Sequence, residues 1–381
     1  MVNRLSIRRH WPSFDFILLL LVCAFAVFGI MMIGAAEYYW DKTAVSPAYA
    51  SQKLFFITGL AVLAIFTVVD YHFIAKFHWL IYGLMIILLV VVMVVGADDS
   101  SGTARWIRFG DSFAIQPSEF CKIFMIVFLA KFIDNRRDSI NNIGVFCLLT
   151  ALAVLPVIFI YVQPALSASM VISAIVVCIF FSSNLKYRYI LIPLLIIAPL
   201  AILFIWDVHN KPHLFIDKFI KGYQLQRVED FALSNKTGPG YYQTRASLRS
   251  MGSGMFQGKG YKRGSYIPLG ANDFIFSVIG EQFGFVGCAC TLLAIFLIIS
   301  KCIIIANRSP DMLGRLIAMG VAGKLAFEAF VNVSVATNIL PNTGMPFPFL
   351  SSGGSSMWVN LACIGLVLNV GLFKAKSIFK E

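Results

Sequence analysis

The sequence predicts an all-α polytopic membrane protein, with about ten membrane-crossing helices and a large extracellular loop between spans seven and eight. Of its 381 residues, 59% are hydrophobic and only 13% are charged, whereas a soluble domain is about 25% charged. Apolar runs repeatedly reach the roughly 20 residues that a helix needs to cross a bilayer. These runs are continuous, as from Phe16 to Ile33, and lack the period-2 alternation of membrane β-barrels.

Ten apolar stretches account for the predicted helices. The first follows Arg4, Arg8 and Arg9, as a signal peptide would, but it exceeds the usual roughly 7–15 apolar residues and no small-residue cleavage site follows. We therefore expect it to be retained. The chain, residues 1–381, is expected to form one membrane domain, with residues 207–273 as the large loop. The predicted spans are roughly 14–36, 54–72, 78–96, 116–133, 143–162, 164–183, 188–206, 274–305, 312–335 and 345–371.

The positive charges orient the chain. An even number of spans puts both termini on one side, and a cytoplasmic placement makes the short cytoplasmic segments rich in Lys and Arg. The short outer segments then carry only Lys42, Lys53, Arg105 and Arg108. This distribution predicts a multi-pass protein of the bacterial cytoplasmic (inner) membrane, with both termini cytoplasmic.

Composition also bears on partners and metals. The net charge of +12 fits cationic loops at a membrane surface, so we expect contact with membrane lipids and none with nucleic acid. All eight cysteines fall inside apolar runs, where Cys packs as a small apolar residue. Cys288 and Cys290 have no second ligand pair at zinc-like spacing, which argues against a zinc site there.

Charged residues inside the predicted spans are candidates for function, because a charge within a bilayer is costly. Glu119 and Lys122 are spaced i, i+3 in the fourth span, and Lys324 and Glu328 are spaced i, i+4 in the ninth. One interpretation is internal ion pairs that hold helices together. The other is that Lys122 or Lys324 faces a cavity for an anionic headgroup. Glu281, two turns inside the eighth span, fits a structural or a functional role.

Arginines mark two further candidate sites. Arg105 and Arg108 flank Trp106 in the loop after the third span, which fits an interfacial anchor or a clamp for phosphate. In the large loop, residues 241–256 are predicted to form a short amphipathic helix in the membrane interface, with Arg245 on it. One side of this helix would carry Leu248, Met251 and Met255.

Asp273 ends the large loop, where the eighth span is expected to begin. Its simplest role is local, because Asn272 or Asp273 can cap the helix and complement its dipole. The functional alternative is a general base at the boundary between water and lipid.

Residues 338–356, where the tenth span enters the membrane, contain three prolines and three glycines. Irregular backbone at that depth is tolerated only where it is buried in protein or lines a water-filled cavity. We therefore expect a broken start to this span, facing the same outer cavity as Asp273.

Five blocks occur in order along nearly the whole chain, at 105–122, 223–228, 252–260, 272–284 and 340–356. One of them reads Asn-Asp-Phe-Ile-Phe at 272–276. With these blocks the sequence resembles the SEDS family, the RodA/FtsW/SpoVE-like peptidoglycan glycosyltransferases of bacterial cell-wall synthesis, and a RodA-like member is favoured. Ten spans with a large outer loop after the seventh is also the plan of that family.

The resemblance implies polymerisation of lipid II, an undecaprenyl-pyrophosphate-linked disaccharide peptide, into β-1,4 glycan strands outside the membrane. The role would be cell elongation and shape, with division or sporulation left open. The essential Asp of the family corresponds to Asp273, which would deprotonate the attacking hydroxyl or help hold a divalent metal, Mg or Mn. The usual partner is a class B penicillin-binding protein, a transpeptidase.

A pyrophosphate leaving group needs cations rather than a strong acid. The residues expected to bind substrate and pyrophosphate are Arg105, Lys122, Arg227, Arg245, Ser351 and Ser352. The residues expected to support them are Glu119, Glu281, Lys324, Gly353 and Gly354.

The sequence also departs from the family pattern. Where the family usually has Gln-Pro-Asp-Leu-Gly, residues 163–167 read Gln-Pro-Ala-Leu-Ser, so Ala165 replaces an acidic residue and no role is transferred to it. Two other functions stay open: a flippase for lipid-linked precursor, and an inactive scaffold for a transpeptidase. A carboxylate in the outer loop favours the polymerase, because a flippase needs no base at the outer surface.

Overall fold

The computed structural model describes residues 8–38, 47–98, 104–109, 113–163, 165–189, 191, 195, 207, 231 and 239–374. Six helices within these ranges are long and apolar enough to cross a membrane, and two shorter ones, His78–Val94 and Leu166–Ser182, are also apolar. The all-α polytopic fold that the sequence predicts is therefore confirmed.

The helices occur in a simple order along the chain. Nine of the ten predicted spans overlap one of them, and the seventh, 188–206, lies almost wholly outside the described residues. The helices of the described ranges are α1 (Phe16–Glu37), α2 (Pro47–Val68), α3 (Tyr71–Lys76), α4 (His78–Val95), α5 (Pro117–Asn135), α6 (Ile143–Val162), α7 (Leu166–Ser182), α8 (Pro239–Gly254), α9 (Ile275–Arg308), α10 (Met312–Ala336) and α11 (Gly354–Leu372).

Short strands supplement the helices, and the sequence reasoning missed them. One antiparallel sheet joins β2 (Ala97–Asp98), β3 (Ala104–Phe109) and β4 (Phe113–Ile115). A second antiparallel pair joins β1 (Arg8–Arg9) to β5 (Phe373–Lys374), so the two ends of the described chain meet.

The core lies around α10 and α11, which are far more buried than α2 or α6. The polar residues of these two helices face inward rather than toward lipid. On α10, Lys324, Glu328 and Asn332 are each 1% exposed or less, and they follow one another at four-residue spacing along one face. On α11, Asn360 and Asn369 are equally buried. The interior of the bundle is therefore polar along one stripe.

The helix α9 is interrupted at Gly284, which has φ 64° and ψ −158°. Only glycine adopts such a conformation readily, because it has no Cβ. The segment 255–260 lies along the interruption and satisfies its backbone: Lys259 N donates to Glu281 O (2.9 Å) and Phe285 N donates to Met255 O (2.9 Å). The predicted eighth span is thus two helical pieces, and the loop is hydrogen-bonded into the break.

The start of α9 defines one end of the bundle, called here the Asp273 end. At the opposite end, Asp311 accepts hydrogen bonds from Tyr71 Oη (2.8 Å) and His72 Nε2 (2.9 Å), while His72 Nδ1 donates to Asp70 (2.8 Å). Burial lowers the pKa of His72, but its hydrogen bonds to Asp311 and Asp70 outweigh burial and raise that pKa above its ordinary value. Burial likewise raises the pKa of Asp311, yet its hydrogen bonds from His72 and Tyr71 bring that pKa below its ordinary value.

Candidate functional site

Asp273 lies in a turn just before α9 and is partly exposed. The turn begins at Leu269, whose φ is 56°, and Phe274 N donates to Leu269 O (3.3 Å). The helix begins at Ile275 and its N-cap is Phe274, whose side chain has no hydrogen-bonding group. Neither Asn272 nor Asp273 therefore occupies the capping position that the sequence suggested.

Three consecutive backbone carbonyls of this turn, at residues 271–273, are each held by a different group. Ser352 N donates to Ala271 O (2.9 Å) and Ser351 Oγ donates to Asn272 O. Asn332 Nδ2 donates to Asp273 O (2.9 Å) and also to Met345 O (2.8 Å). The backbone under Asp273 is thus fixed by α10 and by the segment before α11. We call this arrangement the 271–273 clasp.

The segment before α11 is irregular, as predicted, because the described chain has no helix from Asn338 to Gly353. Its turn is closed by Phe347 N donating to Ser351 Oγ (2.8 Å). Gln52 of α2, 1% exposed, binds it as well: Gly353 N donates to Gln52 Oε1 (3.0 Å). The clasp brings this segment against the turn that bears Asp273, while the prediction that both face one outer cavity stays a prediction. Sequence reasoning missed Gln52 and Asn332.

The hydroxyl of Ser351 has two partners within the protein, since it donates to Asn272 O and accepts from Phe347 N. Ser351 is 5% exposed, whereas Ser352 is partly exposed. Gly354 starts α11, and a Cβ there would lie 2.8 Å from the ring of Phe55. A substrate contact by Ser351 or Ser352 stays a prediction, and the geometry favours Ser352.

The charges inside the spans form one buried network. Lys122 Nζ donates to Glu119 Oε1 (2.6 Å) and to Glu328 Oε1 (2.8 Å). Lys324 Nζ donates to Glu328 Oε2 (2.8 Å) and to Asn360 Oδ1. All four charged residues are 4% exposed or less. These contacts match the ion-pair interpretation of the sequence. Because Lys122 is buried and paired, they do not favour it as a ligand for pyrophosphate, and that role stays a prediction.

The network reaches toward the clasp through serines at the start of α11. Asn360 Nδ2 donates to Ser356 Oγ (3.4 Å), and the backbone N of Gln116, just before α5, donates to Ser355 Oγ (3.1 Å). With the bond from Lys324 to Asn360, these contacts join α5, α10 and α11 next to the segment before α11.

Two of the three candidate arginines belong to the described residues, and both are at least partly exposed. Arg105 lies on β3 and is partly exposed, while Arg245 lies on α8, is exposed, and donates from Nη1 to Tyr241 Oη (3.3 Å). Arg227 lies outside the described residues. Their roles as pyrophosphate ligands stay predictions.

The helix α8 exists as predicted, and a contact of its apolar side with the membrane interface stays a prediction. It packs through small residues at helical spacing, Ser247, Ser250 and Gly254, whereas Leu248 and Met255 are 41% and 82% exposed. Small residues allow close approach of helices: a Cβ on Gly254 would lie 2.0 Å from Gly280 O of α9.

Glu281 is a buried carboxylate that holds the loop after α8. It is 1% exposed and accepts from Lys259 Nζ (2.6 Å), Ser265 N (2.8 Å) and Ser265 Oγ. Gly264 lies against this carboxylate: a Cβ there would be 2.6 Å from Glu281 Oε2, so the carboxylate would have to shift. These contacts therefore give Glu281 a structural role.

Ala165, where the related pattern has an acidic residue, is the N-cap of α7, is 4% exposed and forms no side-chain capping bond. An Asp here would sit at a capping position, which gives that residue type a local structural use.

The described residues contain no cluster of three or more His, Cys, Asp or Glu side chains that could hold a metal ion. A magnesium ion held by one carboxylate would need substrate phosphates for its remaining ligands. The described residues therefore do not form a dedicated metal site, and we derive no step through a metal.

Comparison with known proteins gives a consistent picture. A sequence profile of the FtsW, RodA and SpoVE family, described as "Cell cycle protein", matches residues 15–376. The chain is 31% identical over 370 residues to a probable peptidoglycan glycosyltransferase FtsW of Trichlorobacter lovleyi, covering 94% of this chain and 93% of that one. It is 29% identical over 372 residues to stage V sporulation protein E of Bacillus subtilis, covering 94% and 97%. It is also 29% identical over 364 residues to peptidoglycan glycosyltransferase MrdB of Escherichia coli, covering 93% and 92%.

Solved structures of similar fold point to the same family. A chain of a structure described as "Structural coordination of polymerization and crosslinking by a peptidoglycan synthase complex" superposes with a TM-score of 0.79 at 28% identity, covering 95% of this chain and 98% of that one. The rod shape determining protein RodA of Thermus thermophilus superposes with a TM-score of 0.69 at 27% identity, covering 95% and 97%.

Proposed function

The chain belongs to the FtsW, RodA and SpoVE family, the SEDS peptidoglycan glycosyltransferases, and from that premise we propose that it polymerises lipid II with Asp273 as the catalytic base. The Asp273 carboxylate takes the proton from the 4-hydroxyl of one disaccharide. That oxygen attacks the anomeric carbon of a second disaccharide, and the bond from this carbon to the pyrophosphate oxygen breaks. Undecaprenyl pyrophosphate leaves, and the strand is one disaccharide longer.

The observation that carries this proposal is the 271–273 clasp. Three consecutive carbonyls are hydrogen-bonded by Ser352, Ser351 and Asn332, and these bonds restrain the backbone that bears Asp273. A base acts efficiently only when it is held within hydrogen-bond reach of the proton that it removes. A fixed backbone at a helix start meets that need with little reorganisation.

The departing pyrophosphate is stabilised in this proposal by cations at the Asp273 end. Arg105 and Arg245 are the described candidates, and Arg227 is a third that lies outside the described residues. Guanidinium groups suit this task, because they bind phosphate oxygens in a bidentate way. A divalent ion shared by Asp273 and the pyrophosphate is a further prediction, tested by adding and chelating Mg or Mn.

Orientation and partner complete the proposal. The positive-inside distribution supports cytoplasmic termini, and in this proposal the Asp273 end faces the outer side of the cytoplasmic membrane. A class B penicillin-binding protein, a transpeptidase, is the proposed partner; the structure matched above concerns polymerization and crosslinking by one complex. Relatives of similar identity carry FtsW, sporulation and MrdB names, so the preference for an elongation role stays a prediction.

The test is glycan-strand formation from purified lipid II, with the cognate transpeptidase and a divalent metal present. Wild type is expected to form polymer and Asp273→Asn to form none, while both remain folded. Asp138→Asn is the matched control, because Asp138 is exposed and lies after α5 at the opposite end. Equal polymer from wild type and Asp273→Asn would remove Asp273 as the base. No polymer from a folded wild-type complex would instead favour the flippase or the scaffold.

A further inference from the structure

An apolar groove of about 670 Å³ lies between α1 and α9. Its walls include Leu21, Phe25 and Phe28 on α1, and Val286, Cys290 and Ala294 on α9. Phe256 and Gln257 close it at the Asp273 end. Its volume lies within the roughly 300–1,000 Å³ that is usual for pockets holding small molecules.

The segment 256–263 crosses the end of this groove and is attached to both walls. On the α9 side, Val286 N donates to Phe256 O (3.2 Å). On the α1 side, Tyr261 Oη donates to Met31 O (3.3 Å), and Lys262 Nζ lies 4.8 Å from the centre of the Tyr38 ring. The segment therefore sits over the groove rather than beside it.

This segment is strongly basic. Lys259, Lys262 and Arg263 are exposed, and residues 255–264 contain no acidic residue. Glu281 neutralises one of the three cations, because it pairs with Lys259 at 2.6 Å. Lys262 and Arg263 are the other two exposed cations at this end of the groove.

The groove lies against the candidate active site. The ring of Phe25, in its wall, is centred 6.2 Å from that of Phe347, which stacks 6.3 Å from the ring of Phe276. Phe276 follows Asp273 by three residues on the same segment of chain. Gly29 on α1 also approaches the segment before α11, because a Cβ there would lie 2.6 Å from Phe349 O.

A cationic mouth over an apolar groove fits an anionic lipid, head at the mouth and chain in the groove. In a bilayer the chain gains little by moving from lipid to the groove, since lipid tails are as apolar as Leu. The headgroup must therefore decide affinity, at about 1 kcal/mol for each nearby Lys or Arg. A pyrophosphate carries more negative charge than the single phosphodiester of a glycerophospholipid, and so it matches two clustered cations better.

We propose that the groove between α1 and α9 holds the prenyl chain of a lipid pyrophosphate, with Lys262 and Arg263 binding the pyrophosphate. This inference rests on the proposed function, and it gives one lipid-linked substrate or the lipid product a place beside Asp273. Glu281 is a positioning residue, because its hydrogen bonds hold the backbone of the basic segment over the groove.

The test is photolabelling of the full-length protein in phosphatidylcholine nanodiscs. The probe is undecaprenyl pyrophosphate with a diazirine in the prenyl chain, and labelled peptides are identified by mass spectrometry. Ala24→Trp and Ala294→Trp fill the groove from opposite walls, and Val27→Trp is the matched control, because Val27 is exposed on α1 outside the groove. Lys262→Gln with Arg263→Gln removes the cations, and Lys186→Gln, an exposed lysine of the opposite end, is the charge control.

We expect labels in residues 21–28 and 286–294, lost in each groove-filling variant and kept in Val27→Trp and Lys186→Gln. The double charge variant should weaken probe binding about 30-fold. Two folded groove-filling variants that label like wild type would overturn the proposal. So would equal competition by phosphatidylglycerol, which would identify an ordinary bilayer lipid, or by inorganic pyrophosphate, which would identify an anion site with no use for the chain.

The same labelling is measured in Asp273→Asn, because binding of the probe does not require turnover. Labelling of the groove without polymerisation by wild type would refute the proposed function and leave the groove in place. Polymerisation by wild type without labelling of the groove would refute the groove alone.

Discussion

Glu328 is the centre of the buried network, and replacing it with Gln should destabilise the protein strongly. Its two oxygens accept from Lys122 and Lys324 at 2.8 Å each, and the side chain is 1% exposed. Each contact has a Coulomb energy of about 6 kcal/mol at an effective dielectric constant of roughly 20. Desolvation of the carboxylate offsets much of this, so we expect a net loss of about 3–5 kcal/mol, the range for one broken buried pair.

The reasoning depends on the lysine that is left behind. In Glu328→Gln, Lys122 keeps Glu119, while Lys324 keeps only the amide of Asn360 among the described residues. A second change, Lys324→Met, removes that uncompensated charge. The double variant should therefore be more stable than Glu328→Gln, because it no longer buries an uncompensated charge.

The assay is reversible unfolding in mixed micelles for wild type, both single variants and the double variant. Asp134→Asn is the control, because its pair with Lys131 (3.0 Å) is only partly buried and should contribute less than about 1 kcal/mol. A stable Glu328→Gln, or a double variant that loses the sum of the two single losses, would refute this account of the network.

Three other predictions concern separate parts of the molecule. Asn332→Ala removes the bonds to the carbonyls of residues 273 and 345, so kcat for strand formation should fall more than KM, with about 1–3 kcal/mol of stability lost; an unchanged kcat would show that the clasp does not position Asp273. Gly284→Ala should lower the free energy of unfolding by at least about 1 kcal/mol, because φ is positive there and the new Cβ would lie 2.5 Å from a backbone nitrogen. Gly252→Ala should not, because its Cβ would have no neighbour within 4 Å. The pKa of His72 is raised in the folded protein, so protonated His72 stabilises the fold fully at pH values below the ordinary pKa of 6.5. This contribution is lost as pH rises through the raised pKa, so the unfolding midpoints of wild type and His72→Gln should converge above the raised pKa. A difference that stays constant with pH would contradict this.

The spans could be predicted from the sequence because a bilayer imposes a length and an apolar composition on each helix. The start of α2 was placed seven residues late, since the polar residues 51–53 ended the apolar run. In the structure Gln52 is buried by its bonds to the segment before α11, a contact that spans about 300 positions and leaves no local signal.

Asp273 was found because it belongs to a recognisable motif, but the groups that hold it were not. Asn332 did have a signal: it continues the four-residue spacing of Lys324 and Glu328 along α10, and a polar stripe in a span faces the protein interior. The break at Gly284 had none, because one glycine in an apolar helix is common in membrane proteins. Only the hydrogen bonds from residues 255–260 give it a structural reason.

The pairing inside the network also bears on how the chain enters a membrane during synthesis. A single charge at the centre of a helix raises its insertion free energy by about 2.5–3.5 kcal/mol. Here α5 carries Glu119 with Lys122, and α10 carries Lys324 with Glu328, so each helix brings its own counter-charge. Each can leave the translocon as a locally neutral unit, before its partner has been made. The bond from Lys122 to Glu328 then forms when the two helices meet, and it joins pieces of chain synthesised about 200 residues apart.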